Sequence, residues 1–138
     1  MRFDELLMDT FNESLERCQT DPHFLTLFYR KFVISNPEVQ EKFSNTDMEY
    51  QKMMLHASLY MIMLATRNND AAEAYLDRVA KRHSKSALDI RPELYDLWLE
   101  TLIETVKEID SIFNDDVENA WRTVMTFGID YMKSKYDD

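Results

Sequence analysis

Apolar residues recur at helical spacing along nearly the whole chain, and the pattern predicts seven helices, one of them very short. The first covers about Phe3 to Cys18, with Phe3, Leu6, Leu7 and Phe11 on one face. Asp21-Pro22 gives the second a start signal, because Asp caps and Pro fits the first helical position. It runs to about Ile34 and carries Phe24, Leu25, Phe28, Tyr29 and Phe32. Asn36-Pro37 restarts the chain into a short helix, Glu38 to about Lys42, that ends at Phe43. A long helix follows from about Asp47 to Thr66, where Gln51, Leu55, Ser58, Leu59 and Ile62 share a face. Asn69-Asp70 caps the next, which closes near His83. Pro92 opens another that reaches about Ile109, and Asn114-Asp115 starts the last, Val117 to about Lys135.

Composition supports that all-α reading. The 138 residues include one Gly and three Pro, too few breakers for the tight turns of an all-β fold. The length fits one domain, residues 1–138. The net charge of −10 repels nucleic acid and anionic membrane. Cys18 stands alone, so no intramolecular disulfide forms, and a reducing cytoplasm is the expected setting. Acids at Asp4 and Glu5 interrupt the apolar region a signal peptide needs, and the apolar run Leu59 to Ala65 is far short of a membrane span.

Candidate chemistry centres on His83. Leu76, Val79, Ala80 and His83 fall on one apolar helical stripe, so the imidazole points into whatever the stripe buries. One reading is a core or boundary histidine bonded to a backbone carbonyl. The other is an axial ligand to haem iron, which needs a neutral imidazole from a helix walling an apolar slot. Other residues have plainer expectations. His56 reads as packing or boundary, His23 as solvent-facing, and Met53, Met54, Met61 and Met63 as core filler. Cys18 has no partner that would make it a nucleophile, and Asp115-Asp116 and Asp137-Asp138 read as caps and solvated tails.

Several segments, in order, carry a family likeness: Phe28-Tyr29-Arg30-Lys31-Phe32, Asn36-Pro37 through Phe43, and Gln51-Lys52-Met53-Met54-Leu55. Lys81-Arg82-His83 and Ile90-Arg91-Pro92-Glu93-Leu94-Tyr95 complete the set. Over nearly its whole length the chain resembles a bacterial single-domain globin and is similar to the globin half of the flavohaemoglobins. The resemblance implies a three-over-three globin fold around a haem pocket. It makes His83 the proximal iron ligand and the metal-binding residue. It makes Phe43 the residue that packs on the porphyrin, Tyr29 and Gln51 the distal donors, and Leu55 the apolar residue above the iron. Val79 and Ile90 belong to the same set of cofactor contacts, and Tyr95 to the outer shell that orients the histidine.

The chain departs from that pattern in two places. His83 and Tyr95 are twelve apart, a connection two residues longer than the family's. The glutamate that pairs with the proximal histidine is missing, and its place falls near Tyr136. That loss argues against the electron push that favours oxygen-activating chemistry.

The cofactor implied is haem b, since no Cys-x-x-Cys-His attachment motif is present. The expected function is reversible binding of O2, and of NO or CO, at a penta-coordinate histidine-ligated iron, for storage or delivery. With no flavin domain or glycine-rich phosphate loop in the chain, nitric oxide detoxification requires a separate reductase. The alternatives are a globin-like sensor or regulatory interaction module, with or without haem, and a plain helical interaction domain whose slot is filled by side chains. Either a monomer or a homodimer is compatible with the sequence.

Overall fold

A computed structural model describes residues 4–138. Phe3, placed on the first helical face by its spacing, lies outside the described residues. The elements are α1 (Glu5–Gln19), α2 (Phe24–Ile34), α3 (Pro37–Lys42), α4 (Met48–Ala65), α5 (Asp70–His83), α6 (Glu93–Ile109) and α7 (Asp115–Ser134), with no strand among the described residues. This is the all-α globin fold, with α4 and α5 packed on each other in one layer and α2, α6 and α7 in the layer they cross. The layers meet where α4 and α5 pack on α7.

Short polar side chains set the helix starts. The Asp4 carboxylate accepts from the Leu7 amide at 2.7 Å, and Asn36, Asp47, Asn69 and Asn114 cap α3, α4, α5 and α7 in the same way. Each such cap satisfies an amide that the helix cannot, and stabilises by about 1 kcal/mol. Asp21 behaves differently. Its carboxylate accepts from the His23 amide at 2.8 Å and closes a turn, so α2 begins at Phe24 rather than at Pro22.

Two apolar assignments from the pattern are corrected. Leu6 is 76% exposed: α1 buries Phe11, as its spacing predicts, together with Met8 and Leu15 rather than Leu6. Met53 is 67% exposed on the outer side of α4 and fills no core, and His56 beside it is likewise exposed. Met63 is buried, as its spacing predicts.

The base of the molecule is an aromatic cluster crossed by one polar network. Trp121 packs edge-on against Phe11 at 4.9 Å and Phe24 at 6.3 Å. Its indole N–H donates to Ser14 Oγ at 2.8 Å, and the Ser14 hydroxyl donates to Asp110 Oδ2 at 2.6 Å. Arg17 donates to both Asp110 oxygens, at 2.7 and 2.9 Å, and the Ile112 amide donates to Oδ1. Asp110 is 2% exposed and ties α1 and α7 to the end of α6. Burial alone would raise its carboxyl pKa, but the bonds from Arg17, Ser14 and Ile112 override it and hold the pKa below the ordinary 3.8.

The stability this carboxylate contributes is therefore complete above about pH 4 and is lost as pH falls through the depressed folded-state value. Asp110→Asn should flatten the acid limb of the stability profile. At pH 7 it should cost about 1.5–3 kcal/mol, the worth of hydrogen bonds to a charged group. Urea unfolding at pH 7 and pH 3 measures both effects.

Candidate functional site

Away from that base the helices do not close on each other. They leave a cavity of about 300 Å³, lined by α2, α3, α4, α5, α6 and α7 together with the 84–91 segment. That is the lower end of the range for cofactor and small-molecule sites, about 300–1,000 Å³. All eight residues singled out in the sequence, Tyr29, Phe43, Gln51, Leu55, Val79, His83, Ile90 and Tyr95, line this one space.

On the α2 and α3 side the wall is aromatic. The Tyr29 ring meets Phe28 at 5.0 Å and Phe43 at 5.7 Å, and Phe43 meets Phe32 at 6.1 Å, all near edge-to-face. Phe43 is the C-cap of α3, so the bend after that short helix is what turns its ring inward. The Gln51 amide donates to the Tyr29 hydroxyl at 3.1 Å. Burial pushes the Tyr29 phenol up to about 12, against a smaller opposing effect of Gln51, so the group is protonated at neutral pH. With its oxygen accepting from Gln51, the hydroxyl keeps its own hydrogen available as a donor.

On the α5 side the histidine closes its helix. Its Nδ1 is buried with no hydrogen-bond partner among the described residues. Burial, helped by the neighbouring Arg82 charge, lowers its pKa from 6.5 to about 4, so the ring is neutral at physiological pH with a lone pair free. A buried polar nitrogen without a partner is uncommon and calls for an explanation. The core-histidine reading, with the imidazole held by a backbone carbonyl, is not what the structure shows. Tyr95 meets the imidazole through ring contact, at 6.4 Å and 67°, rather than through a hydrogen bond.

The long connection after α5 folds compactly over the cavity edge. The Leu88 amide returns to Arg82 O, the Asp89 amide to Ser84 O and the Ile90 amide to His83 O, at 3.0, 2.9 and 3.0 Å. The Lys42 ammonium donates to Leu88 O at 2.8 Å, and Arg91 pairs with Glu38, so this segment is tied to α3.

Three cavity features escaped the sequence reading. Ser58 and Tyr75 share a hydrogen bond at 2.8 Å on the lining, where two hydroxyls face an otherwise apolar wall. Lys42 and Arg82 bring positive charge to the lining of an acidic protein. Gly128, the chain's single glycine, sits inside α7, where a Cβ would meet Ile62 atoms at 3.0 to 3.2 Å. A mid-helix glycine costs about 1 kcal/mol relative to alanine, and that cost was the available signal.

The donor set fits an iron porphyrin. It offers one neutral imidazole without a protein partner, an apolar slot with aromatic walls, and a paired phenol and amide on the lining. Among the described residues no cluster of three acidic, histidine or cysteine side chains offers a separate site for a bare metal ion. No described helix is long and apolar enough to cross a membrane.

Comparison with known proteins agrees. The family model described as Globin matches residues 26–132. Flavohemoproteins of Rhizobium meliloti (strain 1021) and Halalkalibacterium halodurans are 27% and 30% identical over 97 and 98 residues, 68% and 69% of this chain. The matched region spans only 24% and 23% of those two proteins. A Pseudomonas aeruginosa PAO1 protein of known crystal structure, titled as structurally highly homologous to a human hemoglobin, superposes with a TM-score of 0.91. It is 39% identical and covers 96% of this chain and 99% of its own.

In the haem-free chain, His83 imposes a pH dependence whose sign follows from its lowered pKa. Below 6.5 the unfolded chain takes up a proton that the folded chain refuses until about pH 4. Stability should therefore fall as pH drops across that window. His83→Gln should remove most of the slope between pH 7 and pH 5, as read by urea midpoints.

Proposed function

The chain belongs to the globin family, and on that premise we propose that it holds one b-type haem by His83 and binds a diatomic gas reversibly. The observation that carries this reading is the neutral, unpartnered imidazole on an apolar cavity that also presents the Tyr29 hydroxyl. The haem, when bound, supplies the iron at which a gas molecule is held and exchanged.

The protein's own residues do the rest. His83 offers its ring nitrogen to the metal, and its low proton affinity keeps that nitrogen free at neutral pH. Phe43, Leu55, Val79 and Ile90 shape the slot and exclude water, while Tyr95 braces the imidazole by ring contact. Tyr29, its oxygen already accepting from Gln51, would have its hydrogen available for a polar gas ligand held in the cavity. Such a bond contributes about 0.5–1.5 kcal/mol if neutral and about 1.5–3 if the acceptor carries charge. O2 gains more from it than the less polar CO does.

This favours storage, delivery or scavenging of O2. Nitric oxide detoxification is the variant that would need an external reductase as electron source. The flavohemoprotein relatives are about four times longer than the region they share with this chain, so their full activities are not carried over. A haem-free regulatory module is the weaker reading, because it gives no use to an unpartnered neutral imidazole.

Two substitutions test the assignment. His83→Ala should take up haemin far more weakly than the parent, in a spectrophotometric titration; equal retention would sink the ligand assignment. Tyr29→Phe should raise the O2 dissociation rate about tenfold or more, the equivalent of at least about 1.4 kcal/mol, with a much smaller change for CO. Stopped-flow release of both gases measures this, and equal effects on the two would mean the hydroxyl does not reach the ligand.

A further inference from the structure

The C-terminal turn grips the segment that carries the cavity's histidine into its loop. We infer that Tyr136 is a positioning residue for His83, acting through residues 85–90; the inference rests on the haem reading above. Asp89 is one of two described non-glycine residues with positive φ, at 54°. That left-handed conformation is costly for most side chains, though less so for Asp, and it persists where the surroundings enforce it. Here it reverses the chain so that the Asp89 amide reaches Ser84 O and the next amide, of Ile90, returns to the carbonyl of His83 itself. Ile90 then enters the cavity lining beside the imidazole.

Tyr136 holds both ends of this reversal. Its hydroxyl donates to the Asp89 carboxylate, and its backbone carbonyl accepts from the Lys85 amide at 2.7 Å. The second of these fixes where the loop begins, and the first fixes the residue whose strained conformation ends it. On the other side, Lys42 and Glu38 tie the same segment to α3 through Leu88 O and Arg91. The loop is therefore set between two anchors, and the Tyr136 hydroxyl is the one that acts on the strained residue. None of these contacts belongs to the buried network at Asp110 or to the aromatic base, so removing the hydroxyl leaves the packed end of the molecule untouched.

Tyr136→Phe isolates the hydroxyl, since it keeps the ring and the backbone carbonyl. The loaded variant should still take up haemin one-to-one. It should lose haemin to a scavenging apoprotein about tenfold faster, the low end of effects from groups that orient a metal ligand. Its iron–histidine stretching band in the reduced state should shift or broaden. Asp89→Gly, which removes the acceptor and relaxes the conformation, should produce the same change. The double variant should be no worse than either single one, because both break one contact.

The haem-free chain supplies an independent readout. Amide exchange at Ile90 should quicken in Tyr136→Phe while the thermal midpoint stays near that of the parent, and the His83 ring resonances should move. Unchanged Ile90 exchange and unchanged His83 resonances would overturn the inference even if haemin binds normally. Faster exchange with an unchanged stretching band and haemin loss would also overturn it, since the loop would then not govern the histidine. Failure of the parent to take up haemin would instead remove the haem reading, with the His83 resonances still judging the tie.

Discussion

An imidazole enclosed by apolar side chains and left without a hydrogen-bond partner is the constraint around which this molecule is arranged. Burial lowers the His83 pKa to about 4, so the ring enters the cavity neutral and its nitrogen is not blocked by a proton. Packed helices would ordinarily close on such a space, since protein interiors leave few voids larger than a water molecule. The cavity persists because its walls are anchored elsewhere. Trp121, Phe11 and Phe24 pack one end, and the buried Asp110 pins α1 and α7 to the end of α6. The other end can then keep its cavity, with α3 and the 84–91 segment tied together at its edge.

The three polar groups that carry the haem reading each arrive from a different element. Tyr29 comes from α2, Gln51 from α4 and His83 from the last turn of α5. The first two satisfy each other in a way that leaves one hydrogen to spare, while the Nδ1 of the third has no partner among the described residues. An apolar lining with a spare donor and a spare lone pair suits a planar metal cofactor carrying a small polar ligand. The positive charge of Lys42 and Arg82 gives the lining of an acidic protein the opposite sign to its surroundings.

Much of this was legible in the sequence because helical periodicity and short polar caps are local signals. Asn36-Pro37, Asn69 and Asn114 mark helix starts that the structure reproduces within two residues. Asp21-Pro22 misled, because the same carboxylate that can cap a helix bonded the amide two residues on and made a turn. Leu6 and Met53 misled for another reason: an apolar side chain need not be buried, and both stand on the solvent side of their helices, opposite Met8 and Leu55 two residues on. That the eight candidate site residues share one cavity followed from motif order rather than from periodicity. Ser58–Tyr75, the Gly128–Ile62 approach and the Tyr136–Asp89 contact were not legible, since each joins positions 17 to 66 residues apart that only the tertiary fold brings together. The departure near Tyr136 was visible, but its consequence needed the loop geometry.

The central claim is that the cavity holds a haem through a histidine. Titrating the purified parent chain with haemin, then reducing it and adding CO, tests this most directly. A haem site built on His83 gives saturation at one haemin per chain, an intense Soret band, and a CO shift typical of histidine-ligated haem. A folded, helical chain that shows no saturable uptake would contradict it and leave a globin fold whose cavity serves something other than haem.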